Sequence, residues 1–136
     1  KADVYMPCAT QNEIGLEDAK RMIEEGTSKL LIEVANMPTK AEAVEELQKA
    51  GFMIAPSKAV NAGGVAVSAL EMSQNAMKLS WTEEEVDEKL KKIMKNIFNN
   101  IDGAAKKYGM DGNLIAGANI AGFLKVAEAM LNEGIF

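Results

Sequence analysis

Three short apolar runs punctuate the first half of the chain. Val4-Tyr5-Met6 stops at Pro7, Leu30-Leu31-Ile32-Glu33-Val34 stops at Ala35-Asn36, and Phe52-Met53-Ile54 stops at Ala55-Pro56. A continuous apolar run of this length that ends in turn residues predicts a buried strand. Between the runs lie helical patterns over 16–25 and 41–50, closed by Gly26 and Gly51, with Thr39 and Glu42 at capping-box spacing ahead of the second. Strands alternating with helices in this order imply three parallel strands joined by right-handed crossovers.

Beyond residue 62 the pattern is helical throughout. Thr82 and Glu85 form a second capping-box pair, and Val86, Leu90, Ile93, Ile97 and Ile101 recur at spacings of three and four, predicting one long amphipathic helix. Lysines 89, 91 and 92 stand four residues after Glu85, Asp87 and Glu88, the spacing of a solvated, ion-paired face. A last helix is predicted over 113–132, where Gly117, Ala118, Ala121 and Gly122 suit close approach to a neighbour. Met72, Met77, Met94 and Met130 read as core gap-fillers.

With 136 residues, 48% of them hydrophobic, the chain has the size and composition of one domain with its own core. No uninterrupted apolar run approaches the roughly 18 residues of a membrane span, and a net charge of -5 disfavours a nucleic-acid partner. Histidine is absent, which removes the commonest general base and the usual zinc ligand; no metal site is expected. Cys8 is the single cysteine, so no internal disulfide forms; it reads as a small buried residue, and the expected location is cytoplasmic.

In open parallel sheets, ligands bind beyond the carboxyl ends of the strands. All three predicted strand ends carry polar or special residues, in segments 7–13, 35–38 and 55–64, and the topology brings these to one edge. The last of them is read as a loop leading into a helix that starts with Gly63-Gly64, a costly pair unless bare backbone is needed there. Val65 and Ser68, three apart, share a helix face behind it.

Five stretches carry a resemblance: PCATQNE at 7–13, ANMPT at 35–39, APSKAVNAGGVAVSALEMSQN at 55–75, SWTEEEVDEKL at 80–90 and GANIAGFLKVAEAM at 117–130. In this order they closely resemble the C-terminal part of hexameric NAD(P)-dependent glutamate dehydrogenase. The resemblance implies a partial Rossmann-type α/β fold, with 1–61 the second half of the dinucleotide-binding domain and 62–136 a C-terminal helical segment. It implies oxidative deamination of L-glutamate to 2-oxoglutarate and ammonia with hydride transfer to NAD or NADP, NADP slightly favoured, in a homo-hexamer.

By the same resemblance Ser68 donates to the side-chain carboxylate of glutamate and Val65 forms an apolar wall. Leucine dehydrogenases, similar in this segment, carry an apolar residue in place of that serine. Asn36, Asn61 and Asn12 match family positions near ribose and nicotinamide, Ala9 and Thr10 lie beside the cofactor, and Gly63 and Gly64 admit it to the helix N-terminus. Lys58 is given no catalytic role, because the family's catalytic lysines and aspartate come from the substrate domain. No G-x-G-x-x-G turn after a strand occurs here, so the chain reads as a piece of a longer protein, inactive alone. The alternative reading is a non-enzymatic nucleotide-sensing module, against which a hydroxyl at position 68 argues.

Overall fold

Leu31 lies at the centre of the sheet, fully buried in β1 (Leu30–Ile32). The computed structural model of the protein describes residues 2–134. β1 pairs in parallel with β2 (Met53–Ala55) in the register Leu30↔Met53, Leu31↔Ile54, Ile32↔Ala55. On its other side Tyr5 makes a single parallel bridge to Leu31, donating to the Leu30 carbonyl at 3.0 Å and accepting from the Ile32 N–H at 2.8 Å. The expected third strand is thus reduced to one bridge. Pro7 has no N–H to continue a ladder, and its carbonyl instead takes the N–H groups of both Val34 and Ala35.

Two helices cover this sheet, α1 (Leu16–Glu25) and α2 (Ala41–Lys49), each ended by a glycine at positive φ, Gly26 at 61° and Gly51 at 82°. Their apolar faces supply Ala19, Met22, Ala43 and Leu47, which pack with Leu31, Phe52 and Ile54 into one buried cluster. A fully buried leucine of this kind stabilises the fold by roughly 1.5–3 kcal/mol relative to exposure. The capping box expected at Thr39 and Glu42 does not form. Lys40 occupies the N-cap, while Thr39 is drawn into a parallel bridge with Ile14 and its hydroxyl is buried without a partner.

After β2 come one helical turn, α3 (Ser57–Val60), and three longer helices, α4 (Ala62–Met77), α5 (Glu83–Lys107) and α6 (Leu114–Glu133). The segment expected as a loop over 55–64 is therefore largely helical. At the start of α5 the expected capping box is present: Thr82 N–H donates to Glu85 Oε2 at 2.7 Å and Glu85 N–H to Thr82 Oγ1 at 3.3 Å. Of the three expected ion pairs on that helix, Asp87–Lys91 forms. Glu85 is engaged in the cap, and Lys89 instead lies over the Trp81 ring, 4.6 Å from its centroid.

Small residues let α6 approach α5 as expected. A Cβ built on Gly117 would lie 2.1 Å from the Ile101 carbonyl oxygen, and Ala118 and Ala121 join Ala59, Ile101 and Leu114 in a second apolar cluster. Gly122 takes no part, with open space over its Cα. The methionines do not behave as gap-fillers. Met72, Met77 and Met130 are exposed and Met94 is half-buried, because α4 and α6 present broad apolar surfaces and few described residues lie over them. By length and composition α6, with a mean hydropathy of 1.5, could cross a membrane. Its start is fixed by Asn113, whose Oδ1 accepts from the Ala116 N–H at 3.0 Å and from Gln48 Nε2 on α2 at 3.3 Å.

Candidate functional site

Beyond the carboxyl ends of the strands lies an open cleft of about 770 Å³, with Ala9, Val34, Asn36, Lys58, Asn61 and Val65 among its lining residues. Three separate stretches of chain meet there. Pro56, extended at ψ 145°, delivers the chain from β2 into α3, and Asn61 at φ -90°, ψ 0° links α3 directly to α4. Asn61 therefore projects from a junction held by helical hydrogen bonds on both sides, its own N–H donating to the Ser57 carbonyl at 3.0 Å.

The amide of Asn61 joins two of the three stretches. Its Nδ2 donates to the Val34 carbonyl at 3.2 Å and to Asn36 Oδ1 at 2.6 Å. Both of its N–H bonds are then engaged. Among the hydrogen bonds of the described residues, Asn61 Oδ1 and Asn36 Nδ2 have no partner, which leaves one acceptor and one two-proton donor side by side at the cleft. Such a pair is complementary to a ligand carboxamide or to hydroxyls, which both give and accept. Among the described residues Lys58 is the only cation lining the cleft; its ammonium bonds to Asn119 Oδ1 on α6, and no carboxylate of these residues pairs with it.

Behind this rim stands Glu33, 6% exposed, at the end of β1. Its N–H donates to the Ala55 carbonyl at 3.0 Å, and its Oε2 accepts the first N–H of α3, from Ser57, at 3.1 Å. Ser57 Oγ in turn accepts from the Met37 N–H at 3.4 Å. Glu33 is not among the residues expected at the site, although a lone carboxylate inside an apolar run is a signal of its own. Gln11, likewise not expected individually, lines the cleft with Ala9.

Val65 lines the cleft and is 71% exposed; Ser68 lies one turn further along α4, with its hydroxyl donating to the Gly64 carbonyl at 3.3 Å. Asn12 is in the left-handed region at φ 59°, donates its N–H to the Met37 carbonyl at 2.9 Å, and is outside the cleft lining, as is Thr10. Gly63 is bare for a packing reason, since a Cβ there would come within 3.1 Å of Leu90 and Met94 on α5, whereas Gly64 has open space above it. Cys8, expected to be buried, is exposed, its thiol donating to the Met6 carbonyl.

The profile of the family described as glutamate/leucine/phenylalanine/valine dehydrogenase matches residues 1–134. The chain belongs to this family. It is 55% identical to the NAD-specific glutamate dehydrogenase of Clostridium symbiosum, over 99% of this chain and 30% of that protein. To the NADP-specific glutamate dehydrogenase of Giardia intestinalis it is 55% identical over 97% of the chain and 29% of the relative. Among solved structures, glutamate dehydrogenase 2 of Plasmodium falciparum superimposes with a TM-score of 0.90 at 52% identity, covering 97% of this chain and 29% of that one. The chain thus spans about three-tenths of the length of the relatives it matches.

Proposed function

We propose that the chain is the segment of an NAD(P)-dependent glutamate dehydrogenase that holds the nicotinamide end of the cofactor and one wall of the glutamate pocket. The Asn36–Asn61 pair carries this reading: two amides from different loops, bonded to each other so that one acceptor and one donor remain free on the rim of a parallel sheet. The donor set fits the uncharged carboxamide of the nicotinamide and the ribose hydroxyls; the pyrophosphate would be held by the Gly-rich turn of the preceding part of a full Rossmann sheet, in which the run at Tyr5 is a strand. When bound, the dinucleotide supplies the hydride acceptor for oxidation of the amino acid. Asn36 and Asn61 orient it, Ala9 leaves room beside it, and Gly64 keeps the backbone at the start of α4 accessible, while Gly63 lets that start pack against α5. Asn12 and Thr10 belong to the outer part of the same loop cluster.

Val65 and Ser68 face the substrate side, the valine excluding water and the hydroxyl exchanging the Gly64 carbonyl for the distal carboxylate of glutamate. The catalytic lysines and aspartate, the hexameric assembly and the cytoplasmic location belong to the whole protein in this reading. Relatives specific for NAD and for NADP are equally similar to this segment. The choice between the two nucleotides is therefore made outside it. In the full-length enzyme, nicotinamide absorbance should report glutamate-dependent reduction of NAD or NADP. Asn61→Ala should raise the nucleotide Kd by up to about tenfold, the scale of one lost hydrogen bond. The 136-residue chain alone should show no turnover. A full-length enzyme that reduces neither nucleotide with glutamate overturns the proposal.

A further inference from the structure

We infer that Glu33 is a positioning residue for the nucleotide cleft: its buried carboxylate, by holding the first N–H of α3, fixes where Asn61 presents its free carbonyl. The inference rests on the function proposed above and adds to it a residue outside the cleft lining.

A carboxylate buried this deeply is rare unless strong donors meet it, because burial strips its hydration. Among the described residues no lysine or arginine pairs with Glu33. Its side-chain partner is the Ser57 N–H, one of the donors that a helix start leaves without an internal acceptor. The consequence is geometric. α3 is a single turn, so whatever fixes its first residue also fixes its last, and Asn61 follows immediately.

The bonds around this point close a ring. Glu33 is bonded through its backbone to Ala55 and through its side chain to Ser57; Asn61, four residues on, returns to Val34, the neighbour of Glu33. The Asn36 side chain joins the same ring through its Oδ1. Without the carboxylate, the turn loses the anchor at its start, and the Asn61 bonds to Val34 and Asn36 are left to hold the free acceptor and the free donor in register without it.

The test uses the full-length enzyme and reads nucleotide Kd by calorimetric titration, the Michaelis constants for nucleotide and glutamate, and the melting temperature. Glu33→Gln retains a carbonyl oxygen for the Ser57 N–H, so its nucleotide Kd should stay within about threefold of the parent enzyme. Glu33→Ala should weaken nucleotide binding by about tenfold or more, with the Michaelis constant for glutamate nearly unchanged. Ser57→Pro removes the donor while suiting the φ of a helix's first turn, and should reproduce the loss; Ser57→Ala, which keeps the N–H, should not. Leu47→Ala, a cavity in the core behind α2, supplies the control for destabilisation alone.

Two results overturn the inference: nucleotide affinity untouched in both Glu33→Ala and Ser57→Pro, or an equal loss in Leu47→Ala at a matched drop in melting temperature. If Glu33→Ala does not fold, the proline and alanine variants at Ser57 decide. A parent enzyme without nucleotide binding would defeat the function proposed above, whereas a competent parent with unaffected variants defeats only the role of Glu33.

Discussion

Replacing Gly117 by alanine should be the most damaging single-methyl change in the helical half of the molecule. The new Cβ would lie 2.1 Å from the Ile101 carbonyl oxygen, 3.0 Å from its carbonyl carbon and 3.1 Å from the Ala105 Cβ. The first of these is about 1 Å short of the closest C···O approaches that proteins tolerate, about 3.3 Å. The partner is backbone inside a helix and cannot rotate away, so α6 must move off α5 and loosen Leu114, Ala118 and Ala121 from Ile101. Overpacking of this kind costs about 1–3 kcal/mol, and a backbone obstacle places it at the upper end. Alanine's better helix propensity offsets about 1 kcal/mol, leaving a net loss of about 2 kcal/mol.

Gly122→Ala provides the comparison on the same helix, since nothing lies within 4 Å of its Cβ position. It should gain about 0.5–1 kcal/mol from propensity alone. Urea unfolding followed by far-ultraviolet circular dichroism measures both variants against the parent chain. A Gly117→Ala chain within ~0.5 kcal/mol of the parent, or two alanines that shift the midpoint in the same direction, would refute a backbone obstacle at Gly117.

Three further outcomes are expected. Thr39→Val removes a buried hydroxyl that has no partner and should stabilise the fold by about 1 kcal/mol, read from the same urea midpoints. Ser68→Val in the full-length enzyme should lower kcat/KM for glutamate by roughly tenfold, the lower end of the range for a hydrogen bond to a charged group, because the hydroxyl gives up its bond to Gly64 to make the new one; the nucleotide Michaelis constant should stay put. The Gly15 N–H, and then Arg21, hold the Asp18 carboxyl below its ordinary value. Its contribution is therefore complete above the ordinary carboxylate range and is lost only as pH falls through the lowered value, which carboxyl resonance titration by NMR should show, with the α1 amides following Asp18.

Much of the framework was legible because its signals are local. Gly26 and Gly51 end helices through a φ that other residues resist, and Thr82 with Glu85 caps α5 by a fixed three-residue geometry. The misreadings came from tertiary competition. Thr39 had the spacing of a cap but was drawn into a bridge with Ile14, a contact between segments that no local pattern encodes. Gly63 and Gly64 look equivalent in sequence, yet one faces Leu90 and Met94 and the other open space. At the site, the meeting of Ala9, Asn36 and Asn61 followed from parallel topology, whereas the polarity of the asparagine pair depends on an orientation only coordinates reveal. Met72 and Met130 followed the composition of a core but lie on surfaces that this segment does not itself cover.

Asn113 joins the two apolar clusters through one atom, its Oδ1 shared between the first turn of α6 and Gln48 of α2. A disturbance that tips α6 is passed to the layer carrying the strands without crossing the cleft. Alongside the packing of Ile115 and Ala55 across the two layers, this shared atom acts as a rivet, and slack introduced there would be felt on both sides at once.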